Sequence, residues 1–223
     1  MDKDKIIIYL LVGLAIVTIF NQFQIFGLAK SSNSANELSP VTGLTTGIGE
    51  VSALDVVPKG VPEIYGKELG ISYDDVSVSN PQKADLTIRK LALFDVSMNM
   101  TGDKLDRYIA ITNSISCEYC CGAQSITFSN GDPACGCAHS YAMRGLAKYL
   151  LTEHPEMQDE AILEELGKWK TLFFPDTLNA KAFVLKEQGI ELSYVNLASN
   201  KYRGAEQVKQ VSQSGQGSMV GGC

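Results

Sequence analysis

The sequence predicts a mainly α-helical domain, a small helical bundle around a cysteine hairpin, preceded by one N-terminal transmembrane helix. Three observations lead to this fold class. Apolar residues recur at helical spacing in several segments after residue 80, five of the six cysteines lie between Cys117 and Cys137, and residues 6–29 carry no charge. A few short strands are also expected, which leaves an α+β fold open.

The N-terminal segment has the length and polarity of a membrane span. Residues 6–20 (IIIYLLVGLAIVTIF) are almost wholly apolar, and about 20 apolar residues in a helix cross the hydrocarbon core of a bilayer. Residues 1–29 are therefore predicted to be a transmembrane anchor, or a signal sequence that stays uncleaved. A cleaved signal peptide is the alternative, because the small residues Gly27 and Ala29 precede Lys30.

The charge flanking this segment predicts its orientation. Lys3 and Lys5 precede the apolar run, and this positive bias favours a cytoplasmic N-terminus. The protein is therefore expected in the cell membrane, in contact with lipid through a single pass, with its soluble domain outside the cytoplasm. A cleaved signal peptide would export the soluble part as well.

Composition divides the remaining chain into three parts. Residues 30–60 are rich in Ser, Gly, Thr and Asn without an apolar period, which is typical of a flexible stalk. The globular Cys/His domain is expected over 61–206. Residues 207–223 are polar and Gly-rich and are predicted to be disordered. This tail ends on Cys223, which is either an inert or intermolecular thiol or the tip of an arm that reaches the cysteine cluster.

Apolar periodicity and punctuating residues predict the helices of the domain. Asn80-Pro81 is a helix-start signal, Pro175 stops a helix, and Gly189 lies where a helix C-cap is expected. Helices are expected over 82–94, 138–152, 159–173 and 180–188, a short strand over 190–195, and either a helix or a strand over 103–114.

The cysteines form two short motifs, C-x-x-C-C and C-x-C-x-H, joined by a spacer with the tight-turn signal Asn130-Gly131. A C-x-x-C pair can place two sulfurs at adjacent vertices of a tetrahedron, and two pairs on a hairpin give a four-thiolate metal site. The candidate metal ligands are Cys117, Cys120, Cys121, Cys135, Cys137 and His139. The smallest sufficient set is Cys117, Cys120, Cys135 and Cys137, and His139 can equally replace one of them.

The leading functional hypothesis is a metal-binding protein with a structural or metal-handling role. Zinc is favoured as the bound ion. The surplus sulfur and Met143 would also suit copper(I). An iron–sulfur cluster is a less natural fit outside the cytoplasm. One alternative is a thiol–disulfide oxidoreductase with Cys117 and Cys120 as the catalytic pair, although the adjacent anion Glu118 works against a thiolate. Another is a scaffold or binding module that the site merely stabilises.

Charge and motifs limit the other function classes. The net charge of −6 and the pI of about 5.0 argue against nucleic acid as a partner, since phosphate binding needs a basic face. No Ser/His/Asp triad or phosphate-binding loop is visible. The cysteine motifs are compatible with a partner that carries a reactive thiol or that transfers metal. They do not decide whether the protein is an enzyme.

Two stretches resemble known exported proteins. Residues 115–175 resemble the cytochrome c maturation thiol reductases of the CcmH type. The resemblance rests on the stretch ISCEYCCGAQSI at 115–126, on the helix expected after it, and on the segment that ends at Pro175. The resemblance implies a membrane-anchored three-helix domain in which Cys117 and Cys120 are the redox pair. The arginine that precedes the family's first cysteine is absent here. The stretch PACGC at 133–137 is similar to exported proteins with a PCYCGC motif.

Overall fold

The computed structural model describes residues 55–207 and 219–221, and the regular secondary structure within them is helical. The predicted mainly α class is thereby confirmed. The α-helices are α1 (Gly66–Leu69), α2 (Pro81–Ser97), α3 (Asp103–Asn113), α4 (Ala138–Glu153), α5 (Asp159–Phe173), α6 (Pro175–Glu187) and α7 (Tyr194–Ala198), and two 3₁₀ helices span Tyr73–Asp75 and Asn200–Tyr202.

The anchor predicted over 1–29 lies outside the described residues, as do residues 30–54 of the predicted stalk. Among the helices that the structure describes, none combines the length and the apolar character needed to cross a bilayer.

The predicted punctuation sets the helix boundaries. The Asn80 side chain accepts a hydrogen bond from the Lys83 N–H at 3.2 Å, with Pro81 in the first turn of α2. Pro175 opens α6 as well as ending α5, so α6 begins five residues before the predicted start at 180. Gly189 follows α6 with a φ of +70°, the left-handed conformation of a C-cap glycine. The ambiguous segment 103–114 forms α3.

The strand predicted over 190–195 is wrong. Ser193 caps α7 instead, because its hydroxyl accepts the Asn196 N–H at 3.1 Å, and the Glu164 carboxylate accepts the Val195 N–H at 3.2 Å. An alternating run of six residues forms a strand only beside a partner strand, and the described part of the chain presents none here. Strand-type pairing within the described residues consists of isolated bridges, Ile115 with Ser199 and Thr127 with Pro133.

Helix α4 is central and packs most extensively against α2. The two backbones approach closely at Gly145, where an added Cβ would overlap the Leu91 carbonyl oxygen and lie 3.0 Å from the Asp95 nitrogen. Glycine is therefore required at this crossing, because any side chain would push the helices apart. Helix α5 lies on another side of α4 and contributes Trp169, which is fully buried.

Beside this crossing, the fully buried Arg144 ties α4 to both α2 and the cysteine hairpin. Its Nε donates to Asp95 Oδ2 at 2.8 Å, and its Nη1 donates to the carbonyls of Ile126 at 3.2 Å and Cys135 at 2.8 Å. Lys148 Nζ lies 2.8 Å from the other Asp95 oxygen. The guanidinium therefore uses its rigid fork of donors to fix three chain segments at one point.

Replacement of Arg144 by Met should destabilise the fold by about 3 kcal/mol, near the lower end for a broken buried ion pair because Lys148 still neutralises Asp95. Chemical denaturation measures this loss. The matched control is Arg89→Met, which removes an exposed pair with Asp85 and should cost less than about 0.5 kcal/mol. Equal losses in the free energy of unfolding for the two substitutions would show that the buried Arg144–Asp95 pair stabilises the fold no more than the exposed pair.

Candidate metal centre

The spacer between the cysteine motifs forms the predicted tight turn. Gly131 has a φ of +87° and donates its N–H to the Phe128 carbonyl at 2.9 Å. Asp132 donates its N–H to the Asn130 side-chain oxygen at 3.1 Å, and its carbonyl accepts the Phe128 N–H at 2.8 Å. The chain thus reverses, and the C-x-C-x-H motif returns to the side of the first cysteine.

All six predicted ligands lie in two adjacent groups of side chains. Within each group the ligand atoms are within 4.8 Å of one another. The first group is Cys117, Cys120, Cys137 and His139, and the second is Cys121, Cys135 and Cys137. The structure therefore gathers the four-ligand set in which His139 takes the place of Cys135, and Cys137 belongs to both groups.

The cysteines are in different oxidation states. Cys121 and Cys135 form a disulfide, with their Cα atoms 6.7 Å apart, and Cys120 is also disulfide-bonded. Cys117 and Cys137 are free and buried thiols, whereas Cys121 is exposed. A four-ligand set that includes Cys120 therefore requires the reduced protein.

Cys137 occupies the N-cap of α4, and this position makes it the preferred thiolate. The Ser140 N–H points at its sulfur at 3.4 Å, and Cys117 Sγ lies 3.4 Å away. The contact with Cys117, aided by the His139 ring and Ser140, holds the pKa of Cys137 well below its usual range although burial opposes this. The same contact and burial raise the pKa of Cys117. Negative charge at this pair is therefore favoured on Cys137.

His139 is fully buried and is held in one orientation. Its Nε2 lies 2.8 Å from the Val220 carbonyl oxygen, which can only accept, so in the neutral ring Nε2 carries the proton and Nδ1 has the lone pair. The ring packs against Phe173 and Phe174, with ring centroids at 4.7 and 5.1 Å. Nδ1 is buried without a hydrogen-bond partner. A ligating histidine commonly has this arrangement, one nitrogen donated to a carbonyl and the other left for a metal ion.

The carbonyl that orients His139 comes from the segment predicted to be a disordered tail. Val220 is 3% exposed and donates its N–H to the Phe173 carbonyl at 2.9 Å. Gly221 follows with a φ of +86°, and a Cβ there would overlap Ile88 Cδ1 and lie 3.3 Å from His139 Nε2. Residues 219–221 thus have a defined place beside the site. Composition alone gave no signal of this contact, because one valine among Gly, Ser and Gln is a weak apolar anchor.

A buried charge cluster lies next to the first cysteine motif. Glu118 has a φ of +42°, and its carboxylate lies 2.7 Å from Lys170 Nζ and 3.6 Å from Lys181 Nζ. Burial raises the pKa of Glu118, but the two ammonium groups outweigh it and bring the pKa below the ordinary value. Burial lowers the pKa of Lys170 to about 8, against the pull of Glu118.

This cluster changes the electrostatics expected from the sequence. Glu118 alone would disfavour a neighbouring thiolate, but two lysines compensate for it, and Lys170 also attracts negative charge on Cys117. An anionic cysteine site is therefore better tolerated here than the sequence around Glu118 implies. The lysines were not identifiable beforehand, since Lys170 falls within an ordinary amphipathic helix and Lys181 is 64 residues from the cysteine at 117.

No protein family, curated protein or solved structure matches the chain. The resemblances to thiol reductases of the CcmH type and to PCYCGC-motif proteins therefore remain predictions.

The thiol pattern is directly measurable. In protein purified without reductant, a cysteine-specific alkylating reagent should label Cys117 and Cys137 only after unfolding, because the two residues are 0% and 7% exposed. Peptide mapping by mass spectrometry should recover Cys121 linked to Cys135. A peptide that links Cys117 to Cys137, or rapid labelling of either in the native state, would contradict this pattern.

Proposed function

We propose that the protein is a membrane-anchored metal-binding protein whose soluble domain works outside the cytoplasm. Its ion site in the reduced protein consists of Cys117, Cys120, Cys137 and His139. The observation that carries the proposal is the buried Nδ1 of His139, which has no hydrogen-bond partner and lies on a ring grouped with three cysteines. A buried lone pair left without a partner is unfavourable unless something binds it.

Zinc fits this set best. Three thiolates and one imidazole are a common tetrahedral zinc set, in which all four positions are filled by protein. Such closure supports a structural or storage role rather than catalysis on a bound water. Copper(I) is the second choice, since soft thiolates bind it strongly. Met143 is fully buried in the core and adds no support for copper(I).

The electrostatic surroundings support an anionic centre. Three thiolates around a divalent zinc ion leave a net charge of about −1, and Lys170 lies close enough to attract charge on Cys117. The ammonium group is itself fully buried and held by Glu118 at 2.7 Å. The buried lysine thus offsets part of the cost of placing charged sulfur in the interior.

The direct test is metal uptake by the full-length chain, reduced under anaerobic conditions. Zinc should bind the unaltered protein and raise its melting temperature, because an ion that binds only the folded state stabilises it. His139→Asn should weaken zinc binding at least about tenfold. The matched control is His154→Asn, which alters the other histidine outside both ligand groups. No zinc or copper(I) uptake by the reduced protein would overturn the proposal.

The contact made by residues 219–221 gives a second prediction. Gly221→Val should displace Val220 from His139, because the new side chain overlaps Ile88. Loss of a group that orients a ligand typically costs 10–100-fold in metal affinity, and competition with a chromophoric chelator measures the change. Met219→Ala is the control, since Met219 is 42% exposed. Unchanged affinity in Gly221→Val would mean that Val220 does not orient the ligand.

Thiol–disulfide exchange is a second candidate, with a different pair from the predicted Cys117 and Cys120. The free Cys137 sulfur lies 3.4 Å from Cys117 and 3.5 Å from the disulfide sulfur of Cys135. These distances favour Cys117 and Cys137 as the dithiol. Protein that takes up no metal, yet forms the Cys117–Cys137 disulfide reversibly in a dithiol buffer, would support this candidate over the metal centre.

A further inference from the structure

Cys137 is shared by two groups of sulfur ligands. Its Sγ lies 3.4 Å from Cys117 in the first group and 3.5 Å from Cys135 in the second. Within each group every ligand atom is within 4.8 Å of the others, so each group can surround one ion. A thiolate sulfur has more than one lone pair and can bind two ions at once. Cys137 is therefore placed as a bridging ligand.

The second group has a composition of its own. It contains three sulfurs and no imidazole, namely those of Cys121, Cys135 and Cys137. Cys135 is held in position through its carbonyl, which accepts a hydrogen bond from the buried Arg144 at 2.8 Å. Cys121 is exposed and Cys135 is 4% exposed, so this group extends from the interior to the surface. In this structure the Cys121–Cys135 disulfide closes it.

We propose that the reduced protein holds two ions joined by the Cys137 thiolate, and that the Cys121–Cys135 disulfide controls access to the second ion site. This inference rests on the proposed metal-binding function and adds a second site, its ligands and its control by oxidation state. The first ion lies among Cys117, Cys120, Cys137 and His139. The second lies among Cys121, Cys135 and Cys137.

Reduction opens the second site in a balanced step. An external dithiol gives two electrons and two protons to the Cys121–Cys135 disulfide, whose S–S bond breaks to leave two thiols. The dithiol becomes a disulfide itself. An ion that then binds displaces the thiol protons into solvent, since thiolates are the ligands. Exposed Cys121 is the sulfur that the external thiolate can reach and attack.

Copper(I) is the ion class that suits the second site. Three thiolates satisfy copper(I) without a fourth ligand, whereas zinc in a closed protein site takes four. Exposure of Cys121 also leaves an open edge, through which a soft ion can pass to or from a partner's thiolate. We expect copper(I) to fill both sites and zinc to fill the first site alone.

Stoichiometry tests the inference. Full-length protein is reduced anaerobically, titrated with copper(I) supplied as a weakly held complex, desalted and analysed for metal and protein. The unaltered protein should retain two ions per chain and Cys135→Ser one. Both lack the disulfide under these conditions, so a difference in count does not come from loss of the cross-link. Ser129→Ala, an exposed change on the same hairpin, should retain two.

The bridge and the control by oxidation state have their own readouts. X-ray absorption of the copper(I)-loaded protein should show a metal neighbour for the unaltered chain and none for Cys135→Ser. Partly reduced protein, in which peptide mapping shows Cys120 reduced and Cys121–Cys135 intact, should retain at most one ion, a comparison that remains valid if Cys135→Ser fails to fold.

The outcomes separate the two proposals. Retention of one ion by reduced unaltered protein, unchanged in Cys135→Ser, would overturn the second site and leave the metal-binding function standing. Two ions without a metal neighbour would overturn the bridge. No retained ion of either metal would overturn both proposals.

Discussion

One buried guanidinium ties the cysteine hairpin to the helical core. Arg144 holds the carbonyls of Ile126 and Cys135 while it is paired with Asp95 on α2. The hairpin has little regular structure of its own, and Ile126 and Cys135 lie on either side of its turn. A planar group with several fixed donors can tie both sides at once. The hairpin is therefore anchored to the helical core at this point, in addition to the backbone pairing across its own turn.

The second constraint is the junction between the hairpin and α4. Cys137 caps this helix and receives the Ser140 N–H, so the first turn both orients the sulfur and stabilises its anionic form. His139 follows in the same turn and is fixed by Val220 and two phenylalanine rings. Two ligands are thus rigid before any ion arrives, which reduces the ordering cost of binding.

Under the proposed function, oxidation state decides which chemistry these residues perform. With Cys120 and the Cys121–Cys135 pair oxidised, Cys117, Cys137 and His139 remain as buried groups. Reduction would return the missing thiols and complete the proposed metal sites. Metal binding and thiol exchange therefore compete for the same sulfurs, and the buried Lys170 beside Cys117 favours negative charge in either case.

The sequence by itself determined the helical class, most helix boundaries and the Asn130-Gly131 turn, because these depend on local periodicity, capping and turn residues. It also singled out the six Cys and His residues that the structure brings close together. Only the tertiary structure decided how they divide into two groups that share Cys137, since sulfurs at similar spacings can converge in several ways. Likewise, Lys170 at the charge cluster and Val220 at the histidine come from distant parts of the chain. Their roles follow from packing between helices, which no local pattern of residues encodes.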